Sequence, residues 1–163
     1  MHIRKTTAAD LNAVMEIYAY AQEFMRESGN ARQWGNVHPP RALIEEDIRA
    51  GVSYVCEKDG KVLAVFMLSH DPDPTYTKIN GAWVNDAPYC VIHRIARARD
   101  AKGAGTFCIN WCYENFGNIR IDTHKDNAPM IKLLGQLGFV YCGIVWIRIT
   151  NNEQDERLAF QKT

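Results

Sequence analysis

The stretch RARDAKGAGTFCINWCYENFG, residues 97–117, sets Arg97, Arg99 and Lys102 and a Gly103-Ala104-Gly105 turn directly before an apolar run of helical length. Two readings fit it. Gly103 and Gly105 let the backbone bend tightly and approach a ligand, and the first free amides of a following helix then point into the turn. Amides and helix dipole together hold a phosphate or pyrophosphate, with Lys102, Arg99 or Arg97 adding charge-assisted contacts. The other reading is an ordinary connection between a strand and a helix, whose glycines only make the turn. The stretch carries neither the full dinucleotide fingerprint nor a Walker-type phosphate loop.

On its N-terminal side lies YCVIHRIAR, an apolar run of the buried-strand type, and on its C-terminal side NIRIDTH reads as a further strand. NAPMIKLLGQLG then has Asn127 as N-cap, an apolar stripe of Met130, Ile131, Leu134 and Leu137, and Gly138 as its stop. FVYCGIVWIRI and ERLAFQKT finish the chain as strands. Nearer the start, HIRKT alternates as a short strand. Thr7 and Asp10 have the spacing of a helix-start capping pair, and Leu11, Val14, Met15, Ile17, Tyr18, Ala21, Phe24 and Met25 form a helical stripe ending near Ser28-Gly29. Pro39 and Pro40 suit the start of a second helix carrying Leu43, Ile44, Asp47 and Ile48, with Gly51 as its stop. Asp59-Gly60 between two β-rich segments marks a hairpin. Residues 70–88, with Pro72, Pro74, Gly81 and Pro88, read as a long loop that lines a site. The expected fold class is α/β of the α+β type: one domain over residues 1–163, a mixed, mostly antiparallel sheet flanked by about four helices.

Composition narrows the function classes. With 163 residues and 47% hydrophobic side chains, the chain can bury a sizeable core as a single domain. Lys plus Arg and Asp plus Glu both number 19, so no global field draws it to nucleic acid or an anionic membrane, and neither is expected as a partner. Cys56, Cys90, Cys108, Cys112 and Cys142 are odd in number and form no Cys-x-x-Cys pair, which reads as reduced core residues. MHIRKTTAADL lacks a signal core and no apolar run reaches the roughly 18 residues of a membrane span, so a cytoplasmic protein is expected. Asp122, His124 and Asp126 alone make a weak ligand set, and no metal is expected.

Taken together, the strand, the glycine turn, the helix, the next strand and DNAPMIKLLGQLGF resemble the GNAT superfamily of N-acetyltransferases over most of the chain. In that family an Arg/Gln-x-x-Gly-x-Gly/Ala loop holds the pyrophosphate of acetyl-CoA, and DAKGAG, residues 100–105, falls on it. The family's downstream Asn, helix and Gly-Phe fall on Asn127, Gly138 and Phe139. IRKTTAADL, QWGNVHP and DIRAG also look like members of the superfamily. There are two departures: Asp100 stands where the family has Arg or Gln, and Leu134 stands where many members carry a Tyr that acts as general acid.

The resemblance implies acetyl-CoA as acyl donor. The pantetheine arm would pair with the backbone of Ile95, Ala96 and Arg97, and Lys102, Gly103, Ala104, Gly105 and Thr106 would hold the pyrophosphate, with Asn127 also at the cofactor site. It further implies direct acetyl transfer to the primary amine of a small molecule or peptide. A histidine near its ordinary pKa can accept the amine proton. His93 would lie near the thioester on the face shared with Ile95 and Arg97, or it is a hydrogen-bonded core histidine. His124 would face a cleft between splayed strands, oriented by Asp122 or Asp126, or it is a solvated strand end. Tyr141 is the candidate replacement for the absent acid. Trp34, His38 and Trp83, in polar or Pro-rich segments, either cover the core or grip substrate. An alternative of the same fold is an acyl-CoA sensor that has lost turnover. Aromatic and apolar edges leave room for a homodimer.

Overall fold

Asp59 and Gly60, both left-handed at φ 53° and 75°, turn strand β2 (Ser53–Lys58) back into β3 (Lys61–Ser69), as an Asp-Gly pair between β-rich segments requires. The computed structural model describes residues 1–150 and 153–163. The remaining elements are β1 (His2–Lys5), α1 (Leu11–Glu27), α2 (Ala31–Trp34), α3 (Arg41–Arg49), β4 (Asn80–Gly81), β5 (Cys90–Arg97), α4 (Ala104–Phe116), β6 (Ile119–Thr123), α5 (Ala128–Gln136), β7 (Val140–Thr150) and β8 (Glu153–Lys162). Short 3-10 turns at Ala8–Asp10 and Pro74–Tyr76 complete the elements. The strands follow the order β1-β2-β3-β5-β6-β8-β7-β4. The β5–β6 pairing is parallel, whereas β1–β2, β2–β3, β6–β8, β7–β8 and β4–β7 are antiparallel. The expected α/β class with a mixed, mostly antiparallel sheet is what the chain forms. No helix among the described residues is long and apolar enough to cross a membrane.

The chain forms two compact units, Met1–Leu68 with Ile92–Trp111 and Ser69–Val91 with Cys112–Thr163. In the first, β2 and β3 stay in register from Ser53 to Cys56, and a bulge follows between Cys56 and Glu57. Val55 and Val65 face Leu11, Val14, Ile17 and Tyr18 of α1 and Ile44 of α3, all buried in one cluster that also takes in Trp34 and Ala96. Phe66 and Tyr54, on the opposite face, stack at 5.5 Å and meet Trp111 of α4, while Cys56 meets Cys108. Layers of helices therefore cover both faces of this part of the sheet. The single turn α2 accounts for five helices where about four were expected. It turns Trp34 out of its polar segment into the core, edge-on to Tyr18 at 5.7 Å.

The apolar run after the glycine turn forms helix α4. Ala104, Cys108, Ile109 and Cys112 form its buried stripe, while Phe116 is 36% exposed. Small side chains at that spacing let the helix axis approach its neighbours.

In the second unit the polar segment 70–88 is tied down rather than loose. Trp83 Nε1 donates to the Tyr76 carbonyl at 3.1 Å, and the fully buried Gln161 accepts from the Val84 amide at 2.8 Å. The Arg120 guanidinium lies over the rings of Trp83 and Tyr89, 4.1 and 3.8 Å from their centroids. The segment also contributes β4, which the sequence reading did not find. Gly81 pairs with Gly143 so closely that a Cβ on Gly81 would stand 2.1 Å from the Cys142 carbonyl oxygen. Asn127 caps α5 through its side-chain oxygen, which accepts from the Met130 amide at 3.3 Å. Gly138 at φ 80° closes the helix, with the Phe139 amide donating to the Leu134 carbonyl at 3.0 Å. All five cysteines are free and buried.

Candidate active site

The glycine turn and the end of β5 form one continuous backbone surface in the first unit. The Ala98 amide donates to the Leu63 carbonyl of β3 at 2.8 Å. Alternation along a strand then points the Ala96 amide towards β3 and the Ile95 and Arg97 amides to the edge facing away from it. Past β5, the Arg97 guanidinium folds back onto the carbonyls of Ala98 and Arg99 at 2.9 and 2.7 Å, collecting loop carbonyls on one side. Arg99 is engaged elsewhere, with Glu23 at 3.2 Å and over the Tyr20 ring at 4.7 Å. Lys102 is exposed beside the turn, as is Asp100.

Gly103 adopts φ 82°, a left-handed conformation that glycine takes without strain, and this bend starts α4 at Ala104. Two amides of the first turn are used, Ala104 N to the Ala101 carbonyl at 3.2 Å and Phe107 N to the Gly103 carbonyl at 2.9 Å. Gly105 and Thr106 supply the other two donors of that turn. A Cβ added at Gly103 or Gly105 would meet nothing within 4 Å, so open space lies in front of them. Outward amides, open space and the positive end of a 13-residue helix suit a pyrophosphate. The strand edge at Ile95 and Arg97 offers donors and acceptors to an extended amide chain such as pantetheine. On this chain's own residues, then, acetyl-CoA fits.

Beside this surface is a feature the sequence reading did not assign. Arg94 is a non-glycine residue with φ 52° inside a strand. Its carbonyl accepts from the Tyr18 hydroxyl at 3.0 Å, and its guanidinium holds both oxygens of Asp47 at 2.7–3.1 Å. One signal was available: Asp47 falls on the apolar stripe of α3, where a carboxylate needs a buried partner. The left-handed Arg94 also interrupts the alternation on which a face shared by His93 and Ile95 depends. His93 is half-buried just before it.

The other candidates are distributed as follows. His124 is 3% exposed in the second unit, not a solvated strand end. Its Nδ1 accepts from the Asp126 amide at 3.2 Å and lies 3.4 Å from Asp126 Oδ2, so each protonation state of that nitrogen has a partner. Its Nε2 is 3.9 Å from Asp155. Asp155 contacts Arg157, and Arg157 approaches Asp122 at 3.9 Å, continuing a polar chain inward. Burial draws the Arg157 guanidinium down from its ordinary pKa, opposed by Asp122. Tyr141 is 54% exposed and packs on Phe160 at 5.6 Å. It is registered through Phe160 on Ile121, three residues before His124, so the structure does not bring Tyr141 and His124 together. Leu134 is fully buried and leaves no acid at its position. Trp34 lies in the core of the first unit, and His38 is half-buried with its carbonyl accepting from Gln22 at 2.7 Å. Trp83 packs on the core of the second unit.

The architecture has solved counterparts. An acetyltransferase of the GNAT family from Streptococcus agalactiae 2603 is 27% identical and superposes with a TM-score of 0.85 over 99% of this chain and 94% of that one. A ribosomal-protein-alanine N-acetyltransferase from Brucella melitensis is 20% identical, with a TM-score of 0.62 over 99% of each chain. A protein from Salmonella typhimurium solved with its cofactor acetyl-CoA is 18% identical, with a TM-score of 0.60 over 98% of this chain and 91% of that one. The last two likenesses are of fold alone. No curated protein matches the chain. The sequence profile of the acetyltransferase (GNAT) family matches residues 15–139, well over half of the length, and this chain is a member of that family.

Proposed function

We propose that this acetyltransferase moves an acetyl group from acetyl-CoA directly to a primary amine of a small molecule or peptide. Acetyl transfer from acetyl-CoA is the family's activity; the amine acceptor and the residue roles are our reading. The observation that carries it is the open Gly103–Thr106 turn at the start of α4, continuous with the outward edge of β5.

When bound, acetyl-CoA supplies an activated acetyl thioester. The Ile95 and Arg97 backbone groups hold the pantetheine arm, with Ala96 keeping the strand on β3. The Gly103, Ala104, Gly105 and Thr106 backbone cradles the pyrophosphate, and the exposed Lys102 adds charge. Asn127, which caps α5, is the further side chain assigned to the cofactor. The Ile95 amide is a fixed donor for the thioester carbonyl, an arrangement that stabilises charge as it develops on oxygen. His124, with a partner ready for either protonation state of Nδ1, or His93 accepts the amine proton. Tyr141, exposed on β7, is the remaining candidate acid. Trp34, Trp83 and the half-buried His38 act on acceptor choice through the segments they anchor. The proton acceptor is thus one of two histidines.

The test is release of free CoA thiol from acetyl-CoA across a panel of small amines and peptide N-termini, followed against pH. Turnover with at least one amine is expected, and replacing the acting histidine by glutamine lowers kcat on the order of 100-fold or more. Binding of acetyl-CoA without turnover on any amine would favour a sensor instead.

A further inference from the structure

The left-handed Arg94 is held from two sides, by the Tyr18 hydroxyl and the Asp47 carboxylate. Tyr18, on α1, is 2% exposed, its ring is fixed edge-on by Trp34, and its hydroxyl points at the Arg94 carbonyl, 3.0 Å away. Asp47, on α3, is 7% exposed and takes the Arg94 guanidinium in a fork of contacts at 2.7–3.1 Å. A side chain with a Cβ does not settle at φ 52° inside a strand unless its surroundings impose it. Three separate elements meet here to do so.

The consequence is set by covalent geometry. The peptide joining Arg94 to Ile95 is planar, so the carbonyl of Arg94 and the amide of Ile95 point in opposite directions. Whatever fixes the first aims the second. We propose that Tyr18 and Asp47 are positioning residues that lock the Arg94–Ile95 peptide plane and so aim the Ile95 amide at the thioester carbonyl. This rests on the reading that acetyl-CoA lies along β5. The phenol is suited to the task, because burial raises its pKa and keeps it a donor at any working pH. The Asp47 fork acts on the Arg94 side chain and the Tyr18 bond on its backbone, so the two devices converge on one rotation.

The variants are Tyr18→Phe, which keeps the ring in the core, and Asp47→Asn. CoA and acetyl-CoA are titrated separately by calorimetry, and thiol release from acetyl-CoA is timed with water alone as acceptor. For Tyr18→Phe we expect affinity for CoA within about twofold of wild type, since pantetheine and pyrophosphate contacts persist. The preference for acetyl-CoA over CoA should shrink, and thiol release should slow by about tenfold or more without a matching rise in KM. The double variant should be no slower than the slower single one, because both act on the same peptide plane. Equal losses of CoA and acetyl-CoA affinity, or an unchanged ratio and rate in Tyr18→Phe, would overturn the proposal. Should Asp47→Asn not fold, Tyr18→Phe decides by itself. If the wild type binds neither CoA nor acetyl-CoA, the acetyltransferase site reading falls first and this inference with it.

Discussion

The Tyr76 hydroxyl donates to Asp122 Oδ1 at 2.6 Å in the interior of the second unit. Asp122 is also approached by Arg157 at 3.9 Å, and the side chains of that pair are 5% and 6% exposed. The phenol is a short, direct donor to a buried carboxylate. Tyr76→Phe should cost about 1–3 kcal/mol in urea unfolding, because the carboxylate loses that donor without gaining water.

The same bond gives a pH signature. Burial, then Asp122, raise the Tyr76 pKa well above its ordinary value. A pKa raised in the folded state means the contribution is complete below the unfolded value of about 10 and is lost as pH rises beyond it. The urea midpoint of the wild type should fall more steeply above about pH 10 than that of Tyr76→Phe. Parallel slopes would disprove the assignment.

Acid sensitivity should come from the other end of the chain. Arg4 contacts Asp10 at 2.7 and 2.8 Å, and Thr7 donates to the same carboxylate from its amide and its hydroxyl, both at 2.8 Å. Arg4, despite desolvation, holds the Asp10 pKa well below the carboxylate range. A depressed pKa contributes stability above about pH 4, lost as pH falls through the lower folded value. Asp10→Asn should cost about 1–3 kcal/mol at pH 7 and flatten the loss below about pH 4, read from melting temperatures across that range.

At the glycine turn, stability and binding should separate. Gly105 lies in the first turn of α4 with nothing near its Cβ position, and a carboxylate near a helix N-terminus is favourable. Gly105→Asp should leave the melting temperature unchanged or slightly raised while weakening acetyl-CoA by about tenfold or more, since its charge opposes the pyrophosphate. Unchanged affinity would place the pyrophosphate elsewhere.

Gly143→Ala should do the reverse, acting on the fold alone. Its Cβ would stand 2.2 Å from the Asn80 carbonyl oxygen, a backbone atom that cannot swing aside. Detachment of β4 and a loss of about 3 kcal/mol or more are expected in urea unfolding.

The five cysteines should resist a thiol reagent in the native state and all react once unfolded. Each is 7% exposed or less, and burial pushes the Cys112 thiol up to about 12. Rapid labelling of any one before unfolding would contradict the buried, reduced reading.

Local signals carried much of this reading. The three- and four-residue steps of α1, the Asp59-Gly60 hairpin, and the Asn127 and Gly138 ends of α5 each depend on contacts within a few residues, which a sequence displays directly. The glycine turn at 103–105 belongs with them, because its outward amides follow from the start of a helix and not from any distant partner.

Other features needed the third dimension. Arg94 has no local reason to be left-handed; Tyr18 and Asp47, 76 and 47 residues away along the chain, impose it. Strand β4 exists because Gly81 and Gly143 both lack a side chain at one crossing, and the buried face of α4 is chosen by what Ala104, Cys108 and Ile109 lie against. Periodicity and turn chemistry, being local, were fixed by the sequence itself. Strand pairing at a distance, burial of small residues and the aim of a single peptide plane depend on which remote groups meet, and only the tertiary structure decides that.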